Sequence, residues 1–186
     1  MAGTTHAADP CRIFLTGEPG SGKTTVVKRT ADLLAGRGFK VGGMTSKEIR
    51  ERGNRTGFSI EDSMTHEEGV LATVRSSGGP HVGRYVVNLQ DLESVGAGAI
   101  QRATETADVI LVDELGPMEL NSHRFIESVE AALNSQKHVL GTIHKRSNHA
   151  LVTKVKSNPK YTILEVTFGN RDELPAQILR RVTGGK

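Results

Sequence analysis

Residues 17–24 read Gly-Glu-Pro-Gly-Ser-Gly-Lys-Thr, a match to the pattern G-x-x-x-x-G-K-[ST]. These residue types suit one task, which is to hold a chain of phosphates. Glycines let the loop curl around an anion with no Cβ in the way, so that backbone N–H groups point inward. A helix opening near Lys23 would add its positive end. The Lys23 ammonium can reach the β- and γ-phosphates, and the Thr24 hydroxyl can take one position on Mg²⁺. Gly17, Glu18, Pro19, Gly20, Ser21, Gly22, Lys23, Thr24 and Thr25 are therefore the expected nucleotide-binding loop. A flexible Gly-rich turn with an incidental lysine is the bland alternative. It is disfavoured because the match follows an apolar run and precedes a helical pattern.

A phosphate cradle of this kind needs an acid for the metal, at the carboxyl end of a neighbouring strand. Val109-Ile110-Leu111-Val112-Asp113-Glu114 supplies one: four apolar residues with Asp113 at the exit. Asp113 would bind Mg²⁺ directly or through water. Glu114 could orient and deprotonate a water beyond the γ-phosphate, which makes Lys23 and Glu114 the expected catalytic pair. Strands also end in acids for no reason but a turn, so the assignment leans on the loop upstream.

Four further places carry weaker signals. Residues 48–55 are a charge-dense connector in which Glu48 and Arg50, or Arg55, could approach the triphosphate; a solvated loop of mixed charge is the alternative. Glu119 could hold the chain around Glu114 or cap the following helix. Lys145 and Arg146 follow an apolar strand, where a cation could stabilise charge developing in the transition state, or simply meet solvent. Asn170 and Arg171 precede the last helix and could contact the base, or start that helix. His144 and His149 read as structural or solvent residues. The guanine-reading pattern [NT]-K-x-D is missing: Thr153-Lys154-Val155-Lys156 lacks the Asp, which argues against exclusive use of guanine.

The elements that must position these groups alternate in type. Residues 12–16, 39–45, 109–112, 138–143 and 161–166 read as apolar strands. Helical spacing covers 23–36, 91–106 with Asp91 as N-cap, 122–134, 148–156 and a last stretch from 172. Short β-prone pieces at 57–60, 71–74 and 82–89 suggest small antiparallel strands inserted into or beside the main sheet. The sum predicts a three-layer α/β P-loop sandwich with a mainly parallel central sheet. One domain over residues 11–186 follows, with residues 1–10 as a flexible tail.

Composition adds limits. At 186 residues with 36% hydrophobic and 24% charged content, the chain suits one globular domain rather than a disordered one. The net charge of +3 is mild, and acids are mixed among the bases, so a nucleic-acid groove is weakly supported. Cys11 is the single cysteine, which excludes an intramolecular disulfide and a cysteine-based metal cluster. No apolar run approaches the ~18 residues that would span a bilayer. A cytoplasmic monomer is expected.

With both halves of the phosphate site in hand, the chain resembles the thermophile-type nucleoside-triphosphatase family, which has a human member termed cancer-related nucleoside-triphosphatase. The likeness includes Gly43, Glu48-Ile49-Arg50, Arg55-Thr56-Gly57-Phe58 and Val82-Gly83-Arg84-Tyr85-Val86-Val87. It continues through Val112-Asp113-Glu114-Leu115-Gly116-Pro117-Met118-Glu119-Leu120, Leu140-Gly141-Thr142-Ile143, and Val166-Thr167 with Asn170-Arg171-Asp172. The resemblance implies a RecA-like or kinase-like fold and unselective Mg²⁺-dependent hydrolysis of ATP, GTP and other triphosphates, with Glu114 as the water-activating acid. Two departures stand out. Lys47-Glu48 replaces a frequent pair of acids, and Met44 stands where an aromatic often follows Gly43. Two other readings stay open: a nucleotide, nucleoside or polynucleotide kinase using the same cradle, and a switch in which bound nucleotide alters a partner surface.

Overall fold

The computed structural model describes residues 9–184. Residues 1–8 of the tail read at 1–10 lie outside the described residues. The strands are β1 (Arg12–Thr16), β2 (Val41–Glu51), β3 (Asn54–Asp62), β4 (Glu68–Thr73), β5 (His81–Val82), β6 (Tyr85–Val87), β7 (Val109–Leu115), β8 (His138–Ile143) and β9 (Thr162–Glu165). They form one sheet in the order β5-β6-β4-β3-β2-β7-β8-β1-β9. The half from β2 to β9 is parallel, and the half beyond β2 is antiparallel. The helices are α1 (Lys23–Ala35), α2 (Leu89–Asp91), α3 (Gly98–Thr106), α4 (His123–Asn134), α5 (Ala150–Ser157) and α6 (Leu174–Val182).

Strand periodicity builds the layers. Alternate side chains of a strand point to opposite faces, so a strand covered on both sides must be apolar throughout. Ile13 and Leu15 of β1 pack with Val26, Val27 and Leu34 of α1 and with Ile178 and Leu179 of α6. Phe14, between them in sequence, joins the opposite core, where α3, α4 and α5 contribute Ile100, Phe125, Val129 and Val152. Val109 and Leu111 of β7 belong to the first core and Ile110 and Val112 to the second. A polar tie also crosses the second layer: buried Asp62, ending β3, is ion-paired with Arg102 of α3.

Two sequence expectations are corrected. The piece read as a strand over 39–45 followed by a charged loop is one long strand, β2, which pairs antiparallel with β3 from Met44↔Asp62 to Glu51↔Asn54. Its turn places Arg52 at φ 48 and Gly53 at φ 82, the double positive φ of a turn that matches strand twist. Residues 48–55 are thus a β-hairpin that runs roughly 20 Å past the end of the parallel pairing. Helix initiation also moves. Asn88, not Asp91, is the N-cap, its side chain accepting from the Asp91 N–H at 3.2 Å, while Asp91 accepts from the Val70 N–H at 2.7 Å. Between α2 and α3 the helix widens into a π segment, Leu92–Ala97. The small antiparallel strands lie beside the parallel half and continue the main sheet at its edge, one of the two placements the sequence allowed.

Candidate active site

The loop after β1 is held by its neighbours as well as by its glycines. Gly17 has φ +143, and a Cβ there would stand 2.5 Å from the Val166 carbonyl and 3.0 Å from Ser21 Oγ. Only glycine allows the loop to lie this close to the chain leaving β9. Gly22, at φ 104, is the N-cap of α1 and offers no side chain to it, which leaves the first-turn N–H groups for an anion. Lys23 Nζ donates to the Gly17 carbonyl at 3.0 Å and to the Glu18 carbonyl at 3.4 Å. The ammonium therefore folds over the loop where phosphates would lie. Ser21 is buried, Thr25 is exposed, and Glu18, Pro19 and Gly20 form the exposed crest.

The acids arrive on β7, two strands from β1, with β8 between them. The register of β7 on β8 shifts between Val112 and Leu115. Asp113 is 1% exposed. Its Oδ1 accepts from Thr142 Oγ1 of β8 at 2.6 Å, and its Oδ2 is buried with no hydrogen-bond partner. Burial pushes the Asp113 pKa up; the Thr142 and Thr24 hydroxyls, then Lys28 and Lys23, pull it down. The Thr24 hydroxyl thus lies beside the Asp113 carboxyl. Thr142 was not among the expected site residues, although its segment was noted.

Glu114 is half-buried, and burial raises its pKa, with Lys23 lowering it and Asp113 raising it further. Glu119 lies in a 3₁₀ turn, Glu119–Asn121, and is 5% exposed. Burial first, then the charge of Glu114, lifts its pKa to about 8. A Cβ on Gly116 would stand 2.9 Å from Glu119 Oε2 and 3.4 Å from Glu114 Oε1, so both carboxyls border the same small space. The next helix is capped by Ser122, whose Oγ accepts from the Phe125 N–H at 3.1 Å, and not by Glu119. Ser122 Oγ in turn donates to Glu93 Oε1 at 3.0 Å.

Other sequence candidates fall around this centre. Lys145 bridges Glu18 of the loop at 3.0 Å and Glu165 of β9 at 2.8 Å. Arg146 is exposed. The Lys145 hydrogen bond first, with smaller pushes from Arg146 and Lys23, lowers the Glu18 pKa, and burial first, then Lys23, Lys156 and Arg146, lowers that of His144. On the projecting hairpin, Glu48 takes Arg55 at 2.6 Å and Arg50 at 2.6 Å. Arg55 and Arg84 both donate to the Tyr85 hydroxyl, at 3.1 and 3.2 Å. Glu48 and Arg50 are therefore engaged with their own hairpin. Of the two sequence departures, Met44 is fully buried in the core and Lys47 pairs with Glu61. On the far side of β1, a groove of about 230 Å³ is lined by Gly22, Thr25, Val26, Arg29, Arg171 and Asp172. Asn170 uses both ends of its amide inside its own loop, accepting from the Thr167 N–H at 2.8 Å and donating to the Glu165 carbonyl at 2.9 Å.

Among the described residues, no group of three or more His, Cys, Asp or Glu could enclose a metal. A protein cage is therefore not what a cation would find here. The buried, unpartnered oxygen of Asp113 beside the Thr24 hydroxyl fits a Mg²⁺ ion that takes few protein ligands and completes its shell from phosphates and water.

Comparison with known proteins adds the family. The family model described as NTPase matches residues 12–179. The chain is 49% identical over 170 residues to the nucleoside-triphosphatase THEP1 of Thermofilum pendens, covering 91% of this chain and 93% of that one. The chain belongs to the THEP1 nucleoside-triphosphatase family. Its THEP1 relative from Methanosarcina acetivorans is 47% identical, with 91% and 95% covered. Among solved THEP1-family structures, the Aquifex aeolicus protein superposes with a TM-score of 0.82 at 32% identity, over 92% of this chain and 98% of that one. The human cancer-related nucleoside triphosphatase gives 0.79 at 31%, over 95% and 99%. The P-loop α/β fold is that of the THEP1 structures. No helix among the described residues is long and apolar enough to cross a membrane.

Proposed function

We propose that this chain hydrolyses nucleoside 5′-triphosphates, ATP and GTP among them, to the diphosphate and phosphate, with Mg²⁺ required. The observation that carries the reading is the buried Asp113 carboxylate with one oxygen held by Thr142 and the other unpartnered beside Thr24. It stands at the carboxyl edge of the sheet on the same side as the Lys23 loop. The relatives named nucleoside-triphosphatase support the same activity.

Each residue then has a task. Lys23 leaves the Gly17 and Glu18 carbonyls for the β- and γ-phosphates, exchanging neutral acceptors for charged ones. The α1 N-terminus and the loop amides hold the rest of the phosphate chain. Thr24 and Asp113 would hold Mg²⁺, which when bound offsets charge on the transferring phosphoryl group. Glu114 orients the attacking water and accepts its proton. Its partial burial raises its proton affinity, as a base requires, and the charge of Lys23 offsets part of that rise. Glu119 supports the Glu114 carboxyl from across Gly116. Residues 11–186 act as one domain, and the protein works as a cytoplasmic monomer.

Phosphate release from ATP, GTP, CTP and UTP, with Mg²⁺ and with EDTA, tests this reading. Release without any added acceptor, lost in EDTA, is the expected result. Phosphate transfer seen only after a nucleoside, nucleotide or RNA end is supplied would replace hydrolysis with phosphotransfer.

A further inference from the structure

Folding leaves Phe168 in an unusual place. Three large apolar side chains among the described residues stay exposed, and Phe168, at 73%, far exceeds Leu33 at 41% and Val74 at 37%. Leu33 lies on helix α1 and Val74 just past β4; Phe168 sits at the carboxyl edge of the sheet, in the loop between β9 and α6. That loop is braced from both ends. The Val166 N–H donates to the Thr16 carbonyl at 2.7 Å, the Arg171 N–H donates to the Thr167 carbonyl at 3.1 Å, and Asn170 makes one bond with each end of its amide inside the turn. Arg29 of α1 reaches Asp172 at 2.8 Å. The ring is thus held out by an ordered scaffold rather than left on a loose one.

Its neighbour connects it to the phosphate loop. The Arg171 guanidinium lies over one face of the ring, 5.1 Å from the centroid. Arg171 Cδ is 3.3 Å from where a Cβ on Gly22 would be, and the same arginine lines the groove beside Thr25. One guanidinium therefore separates the ring from the start of α1.

Strand order gives the direction. Asp113 and Glu114 lie on β7, to one side of β1, and so mark the end where the γ-phosphate would sit. Phe168 and Arg171 follow β9, on the other side of β1. A triphosphate lying along the loop, with its γ end at the acids, directs its α-phosphate and nucleoside toward β9. We propose that Phe168 is the stacking platform for the nucleobase of the bound nucleoside triphosphate, with Arg171 fixing the ring and facing the α-phosphate end of the groove. This rests on the hydrolase reading above.

The chemistry has a consequence for selectivity. Every base has a π face, so stacking on an aromatic ring is tolerant of base identity and favours the larger purines. Asn170, the side chain best suited to reading a base edge, is already engaged with its own backbone. A base held by its face and not by its edge gives weak discrimination among triphosphates.

The test compares ligands with and without a base. Binding of ATP, GTP, CTP, UTP and inorganic tripolyphosphate, each with Mg²⁺, is measured by calorimetry for wild type, Phe168→Ala and Phe168→Trp. Phe168→Ala is expected to weaken nucleotide binding about tenfold or more, purines most, and to leave tripolyphosphate within about twofold. Phe168→Trp should restore the nucleotides. Because Phe168 is exposed, both variants should keep the wild-type melting temperature. Equal weakening of all five ligands, unchanged nucleotide binding in Phe168→Ala, or wild type binding tripolyphosphate as tightly as ATP would each overturn the proposal. Wild type that binds nucleotides in this pattern yet releases no phosphate would instead overturn the hydrolase reading and leave the platform standing.

Discussion

Thr142→Val probes the support of Asp113 with little change in shape. Thr142 is fully buried, and its hydroxyl is the one group hydrogen-bonded to Asp113 Oδ1, at 2.6 Å. Valine fills the same space but cannot donate. A hydrogen bond to a charged group contributes about 1.5–3 kcal/mol, and here its loss leaves Oδ1 of a buried carboxylate without its donor. Taking about 2 kcal/mol, a protein of this size should melt roughly 4–8 °C lower. The sign of the pH dependence follows from the same bond. Thr142 lowers the Asp113 pKa against the effect of burial, so the variant favours a protonated Asp113 more strongly than wild type does. The stability gap should therefore widen as pH rises and Asp113 ionises, and narrow in acid. Mg²⁺ with nucleotide should recover part of the loss, and the Mg²⁺ concentration for half-maximal activity should rise. The assay is thermal unfolding from pH 5 to 8, with and without Mg²⁺–ADP, plus a Mg²⁺ titration of phosphate release. A variant with wild-type melting and wild-type Mg²⁺ dependence would refute the reasoning.

Gly17→Ala should be poorly tolerated, because its Cβ would meet the Val166 carbonyl at 2.5 Å and the backbone is at φ +143; about 1–3 kcal/mol from backbone conformation alone should appear in urea unfolding, with nucleotide binding lost. Glu119 holds its proton up to about pH 8 in the folded chain, against an ordinary value of 4.5. The folded state then binds more protons than the unfolded one across that window, so stability falls as pH rises through it, by at most about 1.4 kcal/mol per pH unit. Glu119→Gln should flatten this slope and make the variant the more stable protein at pH 9, which chemical denaturation at several pH values would show. Lys145→Ala removes an exposed bridge between Glu18 and Glu165; such pairs contribute about 0–1 kcal/mol, so melting should move by no more than about 2–4 °C and less at high salt.

What the sequence revealed is what local rules determine. The 17–24 loop could be read because its chemistry fixes both residue type and spacing. β7 could be read because burial on both faces forces an apolar run up to Asp113. The 48–55 hairpin could not, since it extends beyond the helices; its Glu and Arg side chains meet solvent and each other, and no apolar alternation marks it as strand. Its one local signal was Gly53 at the turn. Thr142 and Phe168 were missed for a different reason. Their importance depends on strand order, which puts β8 between β1 and β7 and puts the loop after β9 beside Gly22. Neither adjacency is written in the spacing of residues along the chain. Asn88 was passed over as a cap because Asp91 is an equally good capping type, and only the Val70 amide settles which residue serves the helix.

The central claim is that Glu114 activates water for attack on a triphosphate held by Lys23, and single-turnover hydrolysis of radiolabelled ATP with Mg²⁺ tests it most directly. Wild type should release phosphate with no acceptor present. Glu114→Gln should bind nucleotide with near wild-type affinity and release phosphate at least a hundredfold more slowly, in the range expected for loss of a positioned base, and Lys23→Ala should lose binding as well. Glu114→Gln turning over at the wild-type rate would contradict the account.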